Sequence, residues 1–131
     1  MKKEKFSTIK APIPPGNIAQ ATIISVGEDK IAYLSGQISQ DKEGKIINTS
    51  VEEQTTIILD NIKIIVEELG ATMDDIYKCT CYVSSMGRVF DEFNKVYQNY
   101  FSFENPPVRC TVSAGVWGNL DVEIACELIL P

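Results

Sequence analysis

Two side chains near the C-terminus are of the types that recognise and transform an organic acid: Arg109 and Glu123. A guanidinium holds a carboxylate through a two-point fork and never loses its charge in a protein. A glutamate within hydrogen-bond reach of a water can take or return a proton. Both sit in residues 106–130, which read as two strands, 108–114 and 121–129, around a loop carrying Gly115 and Gly118. Strand side chains alternate in direction. Val108, Cys110, Val112 and Ala114 therefore share one face, as do Val122, Ile124, Cys126 and Leu128. If these apolar rows cover the same side of a terminal hairpin, Arg109 and Glu123 emerge together from the other side, on adjacent strands. That arrangement suits binding a carboxylate and moving a proton beside it. A structural ion pair lining a subunit interface is the competing reading, and Glu127, on the same face as Glu123, is the other candidate for such a pair.

Metal chemistry has little support. The chain has four cysteines, no histidine and no C-x-x-C spacing, whereas zinc sites draw on such clusters. Cys79 and Cys81 fall on one face of a strand, and Cys110 and Cys126 lie in the apolar rows, so all four read as small hydrophobes. No metal and no organic cofactor is expected.

The formal charge of -6 argues against a nucleic-acid partner, which would need a basic stripe. Lys2, Lys3 and Lys5 form the one basic cluster, interrupted by Glu4, and read as a solvated end. There is no signal-peptide pattern and no apolar run of membrane-spanning length. A cytoplasmic location with reduced cysteines is the expectation. A length of 131 residues with 44% hydrophobic content suits one domain over residues 1–131 with a single core.

The elements that must position the two side chains follow from periodicity. Residues 1–20 hold Pro12, Pro14, Pro15 and Gly16 and read as an extended arm. Residues 21–26 and 31–34 form a hairpin, closing at Ser35-Gly36-Gln37; a glycine there marks a bulge or a close backbone approach. Residues 45–47 make a short edge segment. Ser50-Val51-Glu52-Glu53 has the capping-box pattern of a helix start, and Gly70 supplies the stop. Between them Val51, Ile58, Ile62, Ile65, Val66 and Leu69 form a core stripe at helical spacing. Residues 76–83 read as a strand. A second amphipathic helix runs from about Val89 to Phe101 and breaks at Asn105-Pro106-Pro107. Two helices covering one face of a sheet define an α+β, two-layer domain. The uncovered, partly apolar face predicts self-association.

In order along the chain, Ala11-Pro12 with Gly16 and Gln20, Ser35-Gly36-Gln37-Ile38 and Leu59-Asp60-Asn61-Ile62 resemble the Rid family. Asn94-Lys95-Val96-Tyr97 with Phe101, Pro107-Val108-Arg109 and Val122-Glu123-Ile124 continue the likeness over nearly the whole chain. These are the reactive-intermediate deaminases, also called YjgF and formerly labelled translation initiation inhibitors. The resemblance implies a chorismate-mutase-like sandwich of a mixed sheet and two helices. It also implies assembly as a homotrimer, with the sheets as an inner barrel and three sites between subunits.

By the same resemblance, Arg109 grips the carboxylate of a 2-imino acid and Glu123 positions or activates the water. Ser35, Gly36 and Asn94 belong to the pocket or its rim. The implied reaction is hydrolysis of 2-iminopropanoate or 2-iminobutanoate, released by serine and threonine dehydratases, to a 2-oxo acid and ammonia. Two positions depart from the family pattern. Ile18 stands where a tyrosine is usual, and Thr111 stands where a cysteine is usual. Loss of the hydroxyl at Ile18 implies an altered substrate size or a subgroup with weak or absent deaminase activity. The other readings are a non-catalytic module sensing a 2-oxo or amino acid, and a chaperone-like or RNA-directed protein.

Overall fold

Lys2–Phe6 (β1), Ala21–Val26 (β2), Asp29–Gln37 (β3), Ile76–Val83 (β4), Val108–Ser113 (β5) and Val122–Leu130 (β6) form the strands, and Val51–Glu68 (α1) and Met86–Tyr97 (α2) the helices. They are seen in a computed structural model that describes residues 1–131. The six strands make one mixed sheet in the order β1-β2-β3-β6-β4-β5. All neighbours are antiparallel except β4 and β5, which run parallel. Both helices lie on one face, as their apolar stripes require. Ile58, Leu59, Ile62, Ile65 and Val66 of α1 and Val89 and Phe93 of α2 are buried against that face. No helix is long and apolar enough to cross a membrane.

The expected terminal hairpin is absent. β5 and β6 are separated by β4, because a β-α-β connection through α2 places β5 parallel to β4 at the sheet edge. β6 takes the central position, where Val122, Ile124, Cys126 and Leu128 lie buried under the helices. That change of neighbour also changes the faces. Register pairs Cys79 with both Arg109 and Cys126, and Cys81 with both Thr111 and Ile124. Arg109 and Thr111 therefore project to the helix side, whereas Glu123 projects to the open side. Cys110 is exposed, not in the core as its apolar row suggested.

Residues 2–6 are an edge strand, not a solvated end; their charges are of the kind that blunts an edge against further pairing. Ser50 caps α1 as expected, its hydroxyl accepting from the Glu53 N–H at 3.1 Å. The Glu53 carboxylate does not close the box but accepts the Thr49 hydroxyl at 3.0 Å. α2 begins at Met86, earlier than its apolar stripe suggested, and passes into a 3-10 turn at Gln98–Tyr100.

Candidate functional site

The predicted site residues fall into two groups on opposite faces of the sheet. On the helix side, at the β5 edge, the Arg109 guanidinium lies over three rings of α2. Its central carbon is 4.7 Å from the Tyr97 ring centre, 5.5 Å from Phe90 and 5.6 Å from Phe93. Such stacking suits the weakly hydrated, planar guanidinium. One Arg109 nitrogen donates to Asn94 Oδ1 at 2.7 Å, which ties the two expected residues together and orients the fork. The remaining guanidinium N–H groups have no protein partner, and Arg109 makes no ion pair within the chain. Thr111, two residues on and on the same face, is half-buried with a hydroxyl that meets no partner. Arg109 is the sole charged residue lining a cleft of about 750 Å³ walled by Tyr97, Phe101, Phe103 and Pro106.

On the open side Glu123 stands beside Gly36. The β3–β6 register slips between Leu34 and Gln37, so Gly36 lies in a bulge. A Cβ added to Gly36 would overlap Glu123 Oε2; glycine is what lets the carboxylate lie against the strand. Burial raises the Glu123 carboxyl above its ordinary range. Its side chain forms no hydrogen bond or ion pair in the chain. Glu127, by contrast, is engaged: it accepts from the Tyr77 hydroxyl at 3.2 Å and pairs with Lys78 Nζ at 3.8 Å.

Glu123 and Gly36 line a second cleft, of about 460 Å³, together with Ile13, Pro15, Ile46 and Trp117. Its only charged lining residues are Glu43 and Glu123. One cleft thus carries a lone cation, the other only carboxylates. Ser35 adjoins Gly36 but does not itself line this cleft; its hydroxyl donates to the Ala19 carbonyl and its N–H to the Gln20 carbonyl, holding the N-terminal arm. Ile18 is not brought to Glu123; it lines a separate hollow with Lys3, Lys5 and Thr22.

Three supports were not singled out by spacing. Gln20, 1% exposed, accepts from the Thr8 N–H at 2.8 Å and donates to the Pro12 carbonyl at 2.8 Å, folding the proline arm into a cleft wall. Asn61 donates to the Gln40 carbonyl at 3.0 Å and fixes the opposite wall to α1. Gln54 accepts from the Asp121 N–H at 2.8 Å, and Asp121 accepts from Ser84 at 2.6 Å, so the start of β6 is pinned two residues before Glu123. Buried polar side chains need partners, but a sequence alone does not say which polar residue is buried.

Cys79, Cys81 and Cys126 lie in the core on the Arg109 side of the sheet. Cys79 and Cys126 approach at 3.5 Å between sulfurs, and burial pushes the Cys81 thiol up to about 12. All four are free. No three histidine, cysteine or carboxylate side chains converge at metal-binding spacing.

Comparison with known proteins gives a consistent picture. The family model described as endoribonuclease L-PSP matches residues 8–129. A RutC family protein of Pyrococcus abyssi is 41% identical over 113 residues, 86% of this chain and 84% of its own. The chloroplastic reactive intermediate deaminase A of Arabidopsis thaliana is 32% identical over 127 residues, 96% of this chain and 65% of its own. Among solved structures, Escherichia coli TdcF with bound serine superposes with a TM-score of 0.81 at 27% identity, covering 96% of this chain and 98% of that one.

Proposed function

The chain belongs to the endoribonuclease L-PSP family, in which the Rid and RutC proteins fall, and on that premise we propose that it hydrolyses 2-imino acids at a site two copies share. The observation that carries this reading is the separation of Arg109 from Glu123 by the sheet itself. One copy offers a half-buried arginine without an ion-pair partner; another offers a carboxylate cleft without a cation. Joining the two clefts completes what a small anionic substrate needs, and their opposite charges favour that encounter.

Arg109, oriented by Asn94, holds the substrate carboxylate in its fork. The imine carbon then lies at Glu123. As a base, Glu123 takes a proton from water while the water oxygen bonds to the carbon. That proton goes to the nitrogen, giving a carbinolamine. Glu123 then takes the carbinolamine hydroxyl proton and passes it to the amino nitrogen as the C–N bond breaks, so that ammonia leaves and the C=O of a 2-oxo acid forms. A carboxyl whose proton affinity is raised by burial is better matched to this shuttle than an exposed one. The imine is reactive by itself, so orientation and one base suffice. Thr111, two residues from Arg109 on the same face, and Ser35, next to Gly36, support the two sides through the strands that carry Arg109 and Gly36.

A cytoplasmic homotrimer, three such sites around a closed ring, is the assembly we favour, since heterologous contacts close into rings. The family description names a ribonuclease, but the Glu123 cleft has no lysine or arginine and the chain is acidic, a poor match to a phosphate backbone. A second reading, binding of a small amino or 2-oxo acid without turnover, draws on the serine bound to TdcF and on Ile18 in place of a tyrosine.

The test is a coupled assay in which threonine dehydratase releases 2-iminobutanoate. The protein should speed its decay to 2-oxobutanoate, and Arg109→Ala should remove at least about tenfold of that gain, the worth of a charged hydrogen bond. Decay unchanged by the wild-type protein would reject the hydrolase. Binding of 2-oxobutanoate that nonetheless depends on Arg109 would then select the sensing reading.

A further inference from the structure

Trp117 has no part in the reaction above, yet it stands at the mouth of the Glu123 cleft and is 73% exposed. It is the chain's one tryptophan. An aromatic ring left in water forfeits a large apolar area, and here a rigid loop holds it there. Gly118 and Asn119 follow it with φ of 74° and 56°, both left-handed, a conformation that glycine and asparagine tolerate best. Gly118 packs on the opposite wall of the cleft: an added Cβ would meet Ile46 Cδ1 at 2.6 Å. Leu120, 2% exposed, anchors the loop in the interior. The backbone just after Trp117 is thus held at two points, and Trp117 shares the cleft lining with Ile13, Ile46 and the proline arm.

We propose that Trp117 is the wall that reads the substrate side chain, and that this chain favours 2-imino acids with an aromatic or similarly large apolar side chain. The inference rests on the hydrolase reading of the Glu123 cleft. With the carboxylate held by Arg109 and the C=N carbon at Glu123, the side chain is the part of the substrate left to enter the cleft. A volume of about 460 Å³ lies in the range of pockets that enclose whole drug-sized ligands and exceeds the need of a four-carbon acid. The lining sets Ile13, Ile46, Trp117 and the prolines beside Gln37 and Gln40, and its charges are carboxylates, Glu43 and Glu123. An aromatic group gains stacking and burial there, while an acidic side chain meets like charge. Trp117 is therefore a specificity-determining residue, not a catalytic one.

Calorimetric titration of the assembled protein with phenylpyruvate, 2-oxobutanoate and 2-oxoglutarate, stable analogues of the corresponding imines, decides the matter. Phenylpyruvate should bind about tenfold more tightly than 2-oxobutanoate, roughly 1.4 kcal/mol, and 2-oxoglutarate most weakly. Trp117→Phe should keep most of the preference. Trp117→Ala should erase it while 2-oxobutanoate affinity stays within about twofold and light scattering shows the same assembly. Equal wild-type affinities, or a preference that survives Trp117→Ala, would overturn the proposal. In either case, 2-oxobutanoate binding that Arg109→Ala abolishes would leave the hydrolase reading intact. Failure of all three acids to bind the wild-type protein would overturn both.

Discussion

Burial of Glu123 beside Gly36 sets stability against the proposed function at one carboxyl. Its folded-state proton affinity is raised by burial, so the group favours the native state fully below its unfolded pKa. That contribution is lost as pH rises through the higher folded pKa. Glu123→Gln removes the charge and should leave the melting temperature at neutral pH equal or higher, with the difference vanishing in acid. Activity should fall by about 10²–10⁴-fold, the range for a lost general base. In the wild type, activity should decline toward acid with a midpoint above the ordinary glutamate value of about 4.3, and that limb should disappear in the variant. A Glu123→Gln protein that is both destabilised and fully active would assign the carboxylate a structural role.

The geometry at Glu123 depends on one strand irregularity, and that irregularity was partly legible from sequence. A glycine closing the strand at Ser35-Gly36-Gln37 signals a bulge or a close approach, and β3 shows both. Gly36→Ala should therefore displace the carboxylate rather than unfold the chain. We expect activity to drop by about a hundredfold, as for a shift of roughly 1 Å at a reacting group, with far-ultraviolet circular dichroism unchanged. Full activity in Gly36→Ala would mean that the side chain moves aside freely. The caps and stripes of α1 were equally readable, because they depend on residues a few positions apart. The neighbour of β5 was not. Alternation shows which residues of a strand share a face, but not which face is covered. Val108, Cys110 and Val112 look like a core row, yet they lie on the open side of an edge strand. Alternation consequently places Arg109 on the wrong face, and the family likeness puts Asn94 in the pocket or at its rim without indicating that it pairs with Arg109.

That misleading row has its own meaning for the whole molecule. Val108 is 68% exposed and Val112 40%, and Tyr33 and Ile129 also stand on the open face. An apolar sheet face of this kind is the signature of a partner surface, and under the proposed mechanism that partner is a second copy supplying the other half of the site. Val112→Asp should dissociate the assembly, since burying an unpaired charge forfeits more than the roughly 1.5–3 kcal/mol that a buried valine contributes. Light scattering should report a monomer in place of a trimer, with helical circular dichroism retained and hydrolysis lost. A monomeric variant with wild-type turnover would show that one chain suffices.

Mixing two inactive proteins tests the shared site most directly. Arg109→Ala and Glu123→Gln each remove one half, from opposite faces of the sheet. Unfolded together and refolded as a one-to-one mixture, they should recover about a quarter of wild-type imine hydrolysis, because random assembly into rings places an intact arginine face against an intact glutamate cleft at one junction in four. No recovery, from mixed assemblies of the same size as the wild type, would contradict a site divided between copies.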